Sequence, residues 1–312
     1  MIRSAIIGCG NVAGGHELKE SYNDNFTHAG VIERSDNFSL VTASDIDNAR
    51  LSNFCADWSL ESGYADYKEM IAEEDIDLVV VALPTVNHYE CLDYLLDSDV
   101  KIIFCEKPLT ENIKQADDLK GKINNKIFCI NFFRKWNNAF STLATDIQQN
   151  RYGNFLSGNA WYTKDLLTNG SHLIHLSNWL LGQPHTAELG YKNRNKYSPN
   201  FRLVYDSQNL EFQHITSSNY VLLEMDLVFE EGRVRISQRG QNLAISNICV
   251  DHDYGFNKLE EENFSTPWRE CLTEAYKNIN KSLENEKANL CSFQEGYEVM
   301  SVIEKINKSI SI

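Results

Sequence analysis

The stretch Ile2-Arg3-Ser4-Ala5-Ile6-Ile7-Gly8-Cys9-Gly10-Asn11-Val12-Ala13 decides the fold of the N-terminal half. Its largely apolar start is typical of a short buried strand, and residues 8–13 match the dinucleotide-binding fingerprint in its G-x-G-x-x-G/A form. Gly8 permits the tight turn, Gly10 lets the backbone approach a pyrophosphate, and Ala13 keeps the helix close to the strand. The residues expected to contact a dinucleotide here are Gly8, Gly10, Asn11 and Val12.

A carboxylate closes the second predicted strand, which runs from Phe38 to Ser44 and ends at Asp45. Such a carboxylate can accept hydrogen bonds from both ribose hydroxyls and would repel a 2′-phosphate. Because we expect no arginine beside Asp45, NAD is favoured over NADP. A solvated carboxylate at a strand end is the alternative interpretation. Asp45 follows the glycine motif by more than the usual ~20 residues. The polar stretch 16–26 is interpreted as a surface insertion that accounts for the difference.

Strands and helices alternate through the rest of this half. The run Asp77 to Leu83 is rich in valine, as expected of a central parallel strand covered on both faces. Further elements are predicted as a helix from near Asp47, a helix over 88–96, a strand over 101–105, a helix over 111–122 and a strand over 126–130. This alternation predicts a doubly wound parallel sheet of the Rossmann type.

The pattern changes after about residue 130. Helices are predicted over 137–149 and 172–181, and successive strands between 201 and 248 predict a mostly antiparallel sheet, with a hairpin turn at Glu231-Gly232. We therefore predict two domains, a dinucleotide-binding domain over 1–130 and an α+β substrate and oligomerisation domain over 131–312. A last helix over 293–310 is expected to return to the first domain.

Composition limits the classes of partner and the compartment. The 312 residues carry a net charge of −15, so nucleic acid and anionic lipid are poor partners. There are eight cysteines without a C-x-x-C pair, the start is too short for a signal peptide, and no 18-residue apolar run occurs. These features predict a reducing cytoplasm and no membrane partner.

Several motifs occur along the chain in a characteristic order. They are Ala82-Leu83-Pro84-Thr85-Val86-Asn87-His88, Cys105-Glu106-Lys107-Pro108-Leu109, Asn131-Phe132-Phe133-Arg134-Lys135-Trp136, Gly170-Ser171-His172-Leu173-Ile174-His175, Trp179-Leu180-Leu181-Gly182 and Glu295-Gly296-Tyr297. In order and spacing they resemble the glucose–fructose oxidoreductase / inositol dehydrogenase family, written Gfo/Idh/MocA. The resemblance covers nearly the whole chain.

The resemblance implies an NAD-dependent oxidoreductase of sugar metabolism that acts on a secondary alcohol or ketone of a sugar, nucleotide sugar or sugar derivative. The segment Asn169-Gly170-Ser171-His172 is similar to the corresponding segment of family members found in surface-polysaccharide and nucleotide-sugar pathways. By resemblance, Lys107 and His172 are catalytic: Lys107 lies beside the nicotinamide and the reacting carbon, and His172 takes the proton. The resemblance also places Pro84, Thr85, His88 and Glu106 at the cofactor. His88 is expected to close over the cofactor, and Glu106 is expected to fix the turn.

One position departs from the family pattern. Thr168 stands where the family commonly has an aspartate four residues before the histidine, so Asn169 or Asp165 compensates or the proton relay differs. His172 and His175 are spaced for a shared metal, but no third ligand is evident, so no metal site is predicted. The residues of the preceding predicted strand that are candidates to line the site, or simply to pack, are Trp161, Tyr162 and Lys164.

Two alternatives stay open beside the dehydrogenase: an NAD-requiring glycosidase of the same family, and a regulatory protein that senses NAD without catalysis. We also expect a homo-oligomer that forms through the C-terminal sheet, as in relatives. Lys107 precedes a proline, which pushes it out of the helical region, and a cis bond to Pro108 is expected from the family.

Overall fold

The computed structural model of the chain describes residues 1–15, 27–190, 195, 197–217, 219–253 and 255–310. The insertion predicted at 16–26 lies outside the described residues. The chain forms two compact units: one consists of Met1–Trp136 and Trp268–Tyr297, and the other of Asn137–Pro267 and the residues from Glu298 onward.

The first unit is built from alternating strands and helices. In chain order they are β1 (Ile2–Ile7), α1 (His28–Glu33), β2 (Phe38–Ser44), α2 (Asn48–Asp57), β3 (Ser62–Tyr64), α3 (Tyr67–Glu73), β4 (Leu78–Val81), α4 (His88–Asp97), β5 (Ile102–Cys105), α5 (Ile113–Lys120) and β6 (Ile127–Ile130). The strands are parallel and lie in the order β3-β2-β1-β4-β5-β6. This confirms the predicted doubly wound sheet, and its strand order reverses between β1 and β4, where such sheets bind ligands.

Burial and capping explain why these elements form. Every residue of β4 and β5 is buried, as expected for strands covered by helices on both faces. Thr27, Asp47 and Asp66 each accept a hydrogen bond from a backbone N–H in the first turn of the helix that follows. These N–H groups have no partner within the helix, so the caps define where α1, α2 and α3 begin.

Three short elements escape prediction from the sequence. They are α1, β3 and α3. β3 has three residues, too few to show an alternating pattern. α1 has six residues and follows the stretch 16–26, and α3 has seven residues. Neither helix is long enough for its apolar residues to show a helical repeat in the sequence.

The second unit contains a larger sheet. Its elements are α6 (Asn138–Gln148), β7 (Phe155–Tyr162), α7 (Ser171–Leu181), β8 (Thr186–Leu189), β9 (Phe201–Tyr205), β10 (Gln208–His214), β11 (Leu223–Phe229), β12 (Gly232–Ser237), β13 (Asn242–Val250) and β14 (Asn257–Ser265). The strand order is β14-β13-β12-β11-β7-β10-β9-β8. All neighbours are antiparallel except β7 and β10. The prediction of a mostly antiparallel sheet is confirmed.

The two faces of this sheet differ in polarity. Along β11, Leu223 and Leu227 are buried, whereas Asp226 between them points to the other face. On that polar face the Arg233 Nε donates to the Asp226 Oδ1 over 2.8 Å. α7 packs against β11 and α6. One face therefore forms the core of the unit and the other carries charged pairs.

The hairpin between β11 and β12 turns earlier than predicted. β11 ends at Phe229 and β12 begins at Gly232, so the loop residues are Glu230 and Glu231 rather than Glu231-Gly232. A Cβ on Gly232 would meet the Ser246 carbonyl oxygen at 2.9 Å. The glycine is needed for close strand packing and not for the turn.

Two helices complete the chain. α8 (Cys271–Leu283) belongs to the first unit, and α9 (Phe293–Ile310) begins in the first unit and continues into the second. The bounds of α9 are those predicted, whereas α8 is not predicted. Among the described residues, no helix combines the length and the apolar character that crossing a membrane requires.

Candidate cofactor-binding and catalytic site

The turn after β1 has the geometry that the glycine fingerprint predicts. Gly8 has a φ of +93°, and a Cβ there would lie 2.7 Å from the Ala82 carbonyl oxygen, so only glycine fits. Above Gly10 no atom lies within 4 Å of an added Cβ, which leaves its backbone open to a ligand. The following short turn, Asn11–Gly15, exposes Val12 and buries Ala13. The backbone of this turn can therefore be approached closely from one side.

Asp45 ties this turn to the end of β2. The carboxylate is almost fully buried, with 6% of the residue exposed. Its Oδ2 accepts a hydrogen bond from the Cys9 N–H over 2.9 Å, and its Oδ1 accepts one from the Asp47 N–H over 2.9 Å. The interpretation of Asp45 as a solvated side chain is therefore wrong, since it is buried and organises the turn.

An arginine does lie beside Asp45, contrary to the expectation from the sequence. The Arg50 Nη1 donates to both carboxylate oxygens of Asp45, over 3.1 and 3.0 Å. A carboxylate offers about four lone-pair positions, and Arg50 and the two backbone N–H groups use them. Arg50 has a half-exposed side chain and can rotate away. Two ribose hydroxyls would therefore have to replace its contacts.

A cavity of about 430 Å³ opens beside these groups, within the size range of small-molecule sites. It lies where β1, β2, β3 and β4 end. Its lining residues are Ile7, Gly8, Gly10, Ser44, Asp45, Ile46, Arg50, Ala65, Tyr67, Ala82, Leu83, Pro84, Asn87 and Glu90. The predicted cofactor residues Gly8, Gly10, Asp45 and Pro84 thus share one cavity. The cavity lies at the carboxyl ends of the parallel strands, where open α/β sheets bind ligands.

The turn after β4 is held in place by His88. Pro84 precedes a single 3₁₀ turn that contains Thr85, and His88 begins α4. The His88 ring is completely buried: Nδ1 lies 2.9 Å from the Pro108 carbonyl oxygen and Nε2 lies 2.8 Å from the Leu83 carbonyl oxygen. His88 therefore joins the turns after β4 and β5. The expectation that its ring closes over the cofactor is not what the contacts show, because both ring nitrogens face backbone carbonyls.

The Glu106-Lys107-Pro108 turn follows β5. Lys107 is non-helical and its bond to Pro108 is cis, both as predicted. Glu106 is largely buried, and its Oε1 accepts a hydrogen bond from Asn131 Nδ2 over 2.6 Å and lies 3.2 Å from His28 Nε2. Its Oε2 accepts the Lys107 N–H over 3.3 Å. Glu106 thus fixes the conformation of this turn.

Charge and hydrogen bonding keep Glu106 ionised. Burial opposes its ionisation, but the hydrogen bonds from His28 and Asn131 and the charge of Lys107 outweigh it, so the pKa of Glu106 lies below its ordinary value. His28 is itself fully buried, and its Nδ1 lies 2.9 Å from the Tyr276 hydroxyl. The sequence contains no local signal for His28 or Tyr276, which are 248 positions apart.

His172 lies in the second unit, in the first turn of α7, and is half-buried. The segment before it is capped by Asp165, which accepts hydrogen bonds from the Thr168 N–H over 2.6 Å and from the Thr168 hydroxyl over 2.8 Å. Thr168 therefore binds a carboxylate in place of supplying one. Asn169 is buried, and its Nδ2 has no hydrogen-bond partner within the described part of the chain.

The three strand candidates do not share one environment. Tyr162 is buried and donates a hydrogen bond to the Pro199 carbonyl oxygen. Trp161 lies on the opposite face, beside Glu224, because successive strand residues alternate. Lys164 lies beyond the end of β7, with a φ of +61°. Trp161 and Tyr162 therefore cannot line the same site.

The match to known proteins is strongest in the first unit. Residues 2–127 match the sequence model of an oxidoreductase family with an NAD-binding Rossmann fold, Gfo/Idh/MocA. The myo-inositol 2-dehydrogenase of Thermotoga maritima is 27% identical over 128 residues, which cover 40% of this chain and 38% of that enzyme. The chain spans about two fifths of the length of the first curated relatives it matches.

Solved structures share the fold over nearly the whole chain. The WlbA dehydrogenase of Bordetella pertussis, in complex with NADH and UDP-GlcNAcA, has a TM-score of 0.76 at 16% identity and covers 99% of this chain and 96% of its own. A levoglucosan dehydrogenase in complex with NADH and levoglucosan has a TM-score of 0.77 at 15% identity and covers 99% and 97%. At such identities the likeness shows the fold alone. Residues 2–127 therefore resemble the NAD-binding Rossmann fold of the Gfo/Idh/MocA oxidoreductase family, and the glycine turn and the Glu106-Lys107-Pro108 turn both lie within the matched residues.

Proposed function

We propose that the chain is an NAD-dependent oxidoreductase that transfers a hydride between the nicotinamide and a secondary alcohol or ketone of a sugar, nucleotide sugar or sugar derivative. The observation that carries this proposal is the cavity at the strand ends. Gly10 and Asp45 line it, and the turn that holds Lys107 follows the next strand of the sheet.

The residues present fit a dinucleotide. Gly10 leaves room for a pyrophosphate, and Asp45 offers acceptors for the ribose hydroxyls once Arg50 has moved. The turns after β4 and β5, which contain Pro84, Thr85 and Lys107, would receive the nicotinamide half. When bound, NAD would supply the hydride acceptor, and the protein would supply binding, orientation and proton transfer.

We propose, as the family resemblance implies, that Lys107 and His172 are the catalytic residues that the chemistry at the substrate oxygen requires. The Lys107 ammonium would hydrogen-bond this oxygen, which stabilises the negative charge that develops when its proton leaves. His172 would accept that proton, since an imidazole can gain and lose a proton near neutral pH. Asp165 would act through Thr168, which binds it by both its N–H and its hydroxyl. This arrangement supplies a carboxylate three positions before the family position and links it to that position through Thr168.

The substrate class is supported by the relatives. The matched proteins carry names that refer to inositol, levoglucosan and a nucleotide sugar. All three are polyhydroxylated rings with secondary alcohols. A role in surface-polysaccharide synthesis is part of the proposal, and it rests on the Asn169-Gly170-Ser171-His172 motif.

We also propose a cytoplasmic location and self-association through the C-terminal sheet. The eight cysteines are free thiols, as expected in a reducing compartment. The polar face of the eight-stranded sheet carries both signs of charge, as in Arg202 and Glu211, whose Nε and Oε1 lie 3.0 Å apart, and such a face can pair with its own copy across a two-fold axis. Light scattering of the purified protein would measure the oligomeric state, and a monomer at all concentrations would rule this out.

The activity is tested in two steps. NADH binding is measured first, by fluorescence and calorimetry. The protein is then incubated with NAD⁺ and a panel of inositols, anhydrosugars and UDP-sugars, and NADH formation is followed by absorbance. We expect turnover with at least one class, and loss of turnover but not of NADH binding in His172→Ala.

Other outcomes would redirect the assignment. Release of an aglycone without net NADH would support the glycosidase alternative. NADH binding that alters a protein partner, without turnover of any substrate, would support the regulatory alternative. Absence of NAD(H) binding would overturn the proposal itself.

A further inference from the structure

A buried carboxylate is held at the end of β5 by side chains from distant parts of the chain. Glu106 Oε1 contacts His28 of α1 and Asn131, and His28 in turn contacts Tyr276 of α8. His28 and Tyr276 are almost completely buried, and the Phe104 ring packs edge-on against His28 with the centroids 4.9 Å apart. The three side chains Tyr276, His28 and Glu106 form what we term the Glu106 chain.

The Glu106 carboxylate sets the direction of the hydrogen bond that it shares with His28. An ionised carboxylate can only accept, so His28 Nε2 carries the proton and donates to Glu106. Burial raises the pKa of Tyr276 well above its ordinary value, so its hydroxyl stays protonated where it lies 2.9 Å from His28 Nδ1. Tyr276, His28 and Glu106 thus form one continuous line of buried contacts that ends on the Glu106 carboxylate.

This charge lies close to where the proposed function puts the nicotinamide. The ribose-binding Asp45 ends β2 and the glycine turn follows β1, so a dinucleotide that crosses the strand-order reversal reaches the ends of β4 and β5. Glu106 is the first residue after β5 and bonds the backbone of Lys107. A carboxylate is therefore fixed at the nicotinamide end of the sheet.

We propose that Glu106 is a fixed counter-charge for the oxidised nicotinamide and for Lys107, and that His28 and Tyr276 are positioning residues that hold it. This inference rests on the proposed function, since it requires NAD to bind with its nicotinamide near Lys107. The oxidised ring is a cation and the reduced ring is neutral. Without an anion beneath the turn, Lys107 would repel the oxidised ring, whereas the reduced ring would be little affected.

The test compares the dissociation constants of NAD⁺ and NADH. In Glu106→Gln, which keeps the shape of the side chain, the ratio Kd(NAD⁺)/Kd(NADH) should rise by about 5- to 30-fold, as for two unit charges about 8 Å apart at an effective dielectric constant of ~20–40. A purely structural role would weaken both forms equally and leave the ratio unchanged. Glu106→Asp retains the charge and should keep the ratio within about 3-fold of the wild type.

A matched control is Glu74→Gln. Glu74 is also a partly buried, hydrogen-bonded glutamate, bound to Ser62 and Tyr64 of β3. β3 lies four strands from β5, which is about 19 Å at the usual strand spacing. Because charges farther apart than about 10 Å are largely screened at 0.1 M salt, this variant should leave the ratio unchanged.

The outcomes separate the two proposals. If the wild type binds neither NAD⁺ nor NADH, the proposed function fails. If the wild type binds both cofactor forms, two results would overturn the counter-charge alone. One is an unchanged ratio in Glu106→Gln, and the other is a shift in Glu106→Asp as large as the shift in Glu106→Gln. Tyr276→Phe removes a single hydroxyl and should raise the ratio about 2- to 5-fold. If Glu106→Gln does not fold, a wild-type ratio in Tyr276→Phe overturns the inference.

Discussion

Replacing Asp45 by serine should lower the preference for NAD over NADP, and Arg50 decides by how much. The serine removes the acceptors for the two ribose hydroxyls. Hydrogen bonds to a charged group contribute about 1.5–3 kcal/mol, so the Kd for NADH should rise about 10- to 150-fold. The change also releases Arg50 Nη1 from both Asp45 oxygens, while Arg50 Nη2 keeps its contact with Asp47 Oδ2 over 3.3 Å.

The released Arg50 should act on NADPH in the opposite direction. Its guanidinium can pair with a 2′-phosphate by two parallel hydrogen bonds, and the repulsion from Asp45 disappears at the same time. We expect the Kd for NADPH to fall about 10-fold or more, so that the ratio Kd(NADPH)/Kd(NADH) falls by about 100-fold or more. Calorimetric titration of both cofactors measures this ratio directly.

The companion variants isolate the part played by Arg50. Arg50→Ala should change NADH binding by less than about 5-fold, because a half-exposed ion pair contributes about 1 kcal/mol or less. In the double variant Asp45→Ser, Arg50→Ala, the gain in NADPH affinity should be lost. An Asp45→Ser protein with an unchanged ratio would refute the assignment of Asp45 to the ribose.

The Asp45→Ser change should also lower the stability of the fold. Asp45 also accepts the N–H groups of Cys9 and Asp47, and a serine can replace only part of this. We expect a loss of about 1–3 kcal/mol in the free energy of unfolding. Urea titrations of wild type and Asp45→Ser, with and without NADH, separate this loss from the change in binding.

Three other perturbations test separate parts of the structure. Gly8→Ala should lower the free energy of unfolding by roughly 1–3 kcal/mol in urea titration, because its φ is +93° and the new Cβ would lie 2.7 Å from the Ala82 carbonyl oxygen. Lys107→Ala and His172→Ala should each reduce kcat by about 10²–10⁴-fold, and only Lys107→Ala should also weaken NADH binding; an equal effect on binding would contradict the separate roles. Cys9 should resist iodoacetamide at pH 8, as read by mass spectrometry, because burial and the nearby Asp45 charge raise its pKa to about 12.

The sequence alone determined the parallel sheet and its ligand-binding turn. β1 and β2 have the bounds that their apolar runs predict, and Gly8 has the positive φ that a tight turn demands. The strands predicted before Pro84 and before Lys107 are likewise confirmed, and the structure shows that they are neighbours in the sheet. These features depend on a few consecutive residues, so a local pattern is enough to reveal them.

Tertiary structure decided which side chains meet. Arg50 contacts Asp45 because α2 folds back over the end of β2, and His28 contacts Tyr276 because α1 and α8 pack together. Side-chain partners of this kind depend on the packing of separate elements, and no short-range periodicity encodes them. Trp161 is a candidate for the site by its residue type, but the register of β7 with β11 turns it to the other face. The kinds of residue and their order came from the sequence. The pairing of charges and the direction in which side chains point came from how the elements pack, because these properties arise only when separate elements are brought within hydrogen-bonding distance.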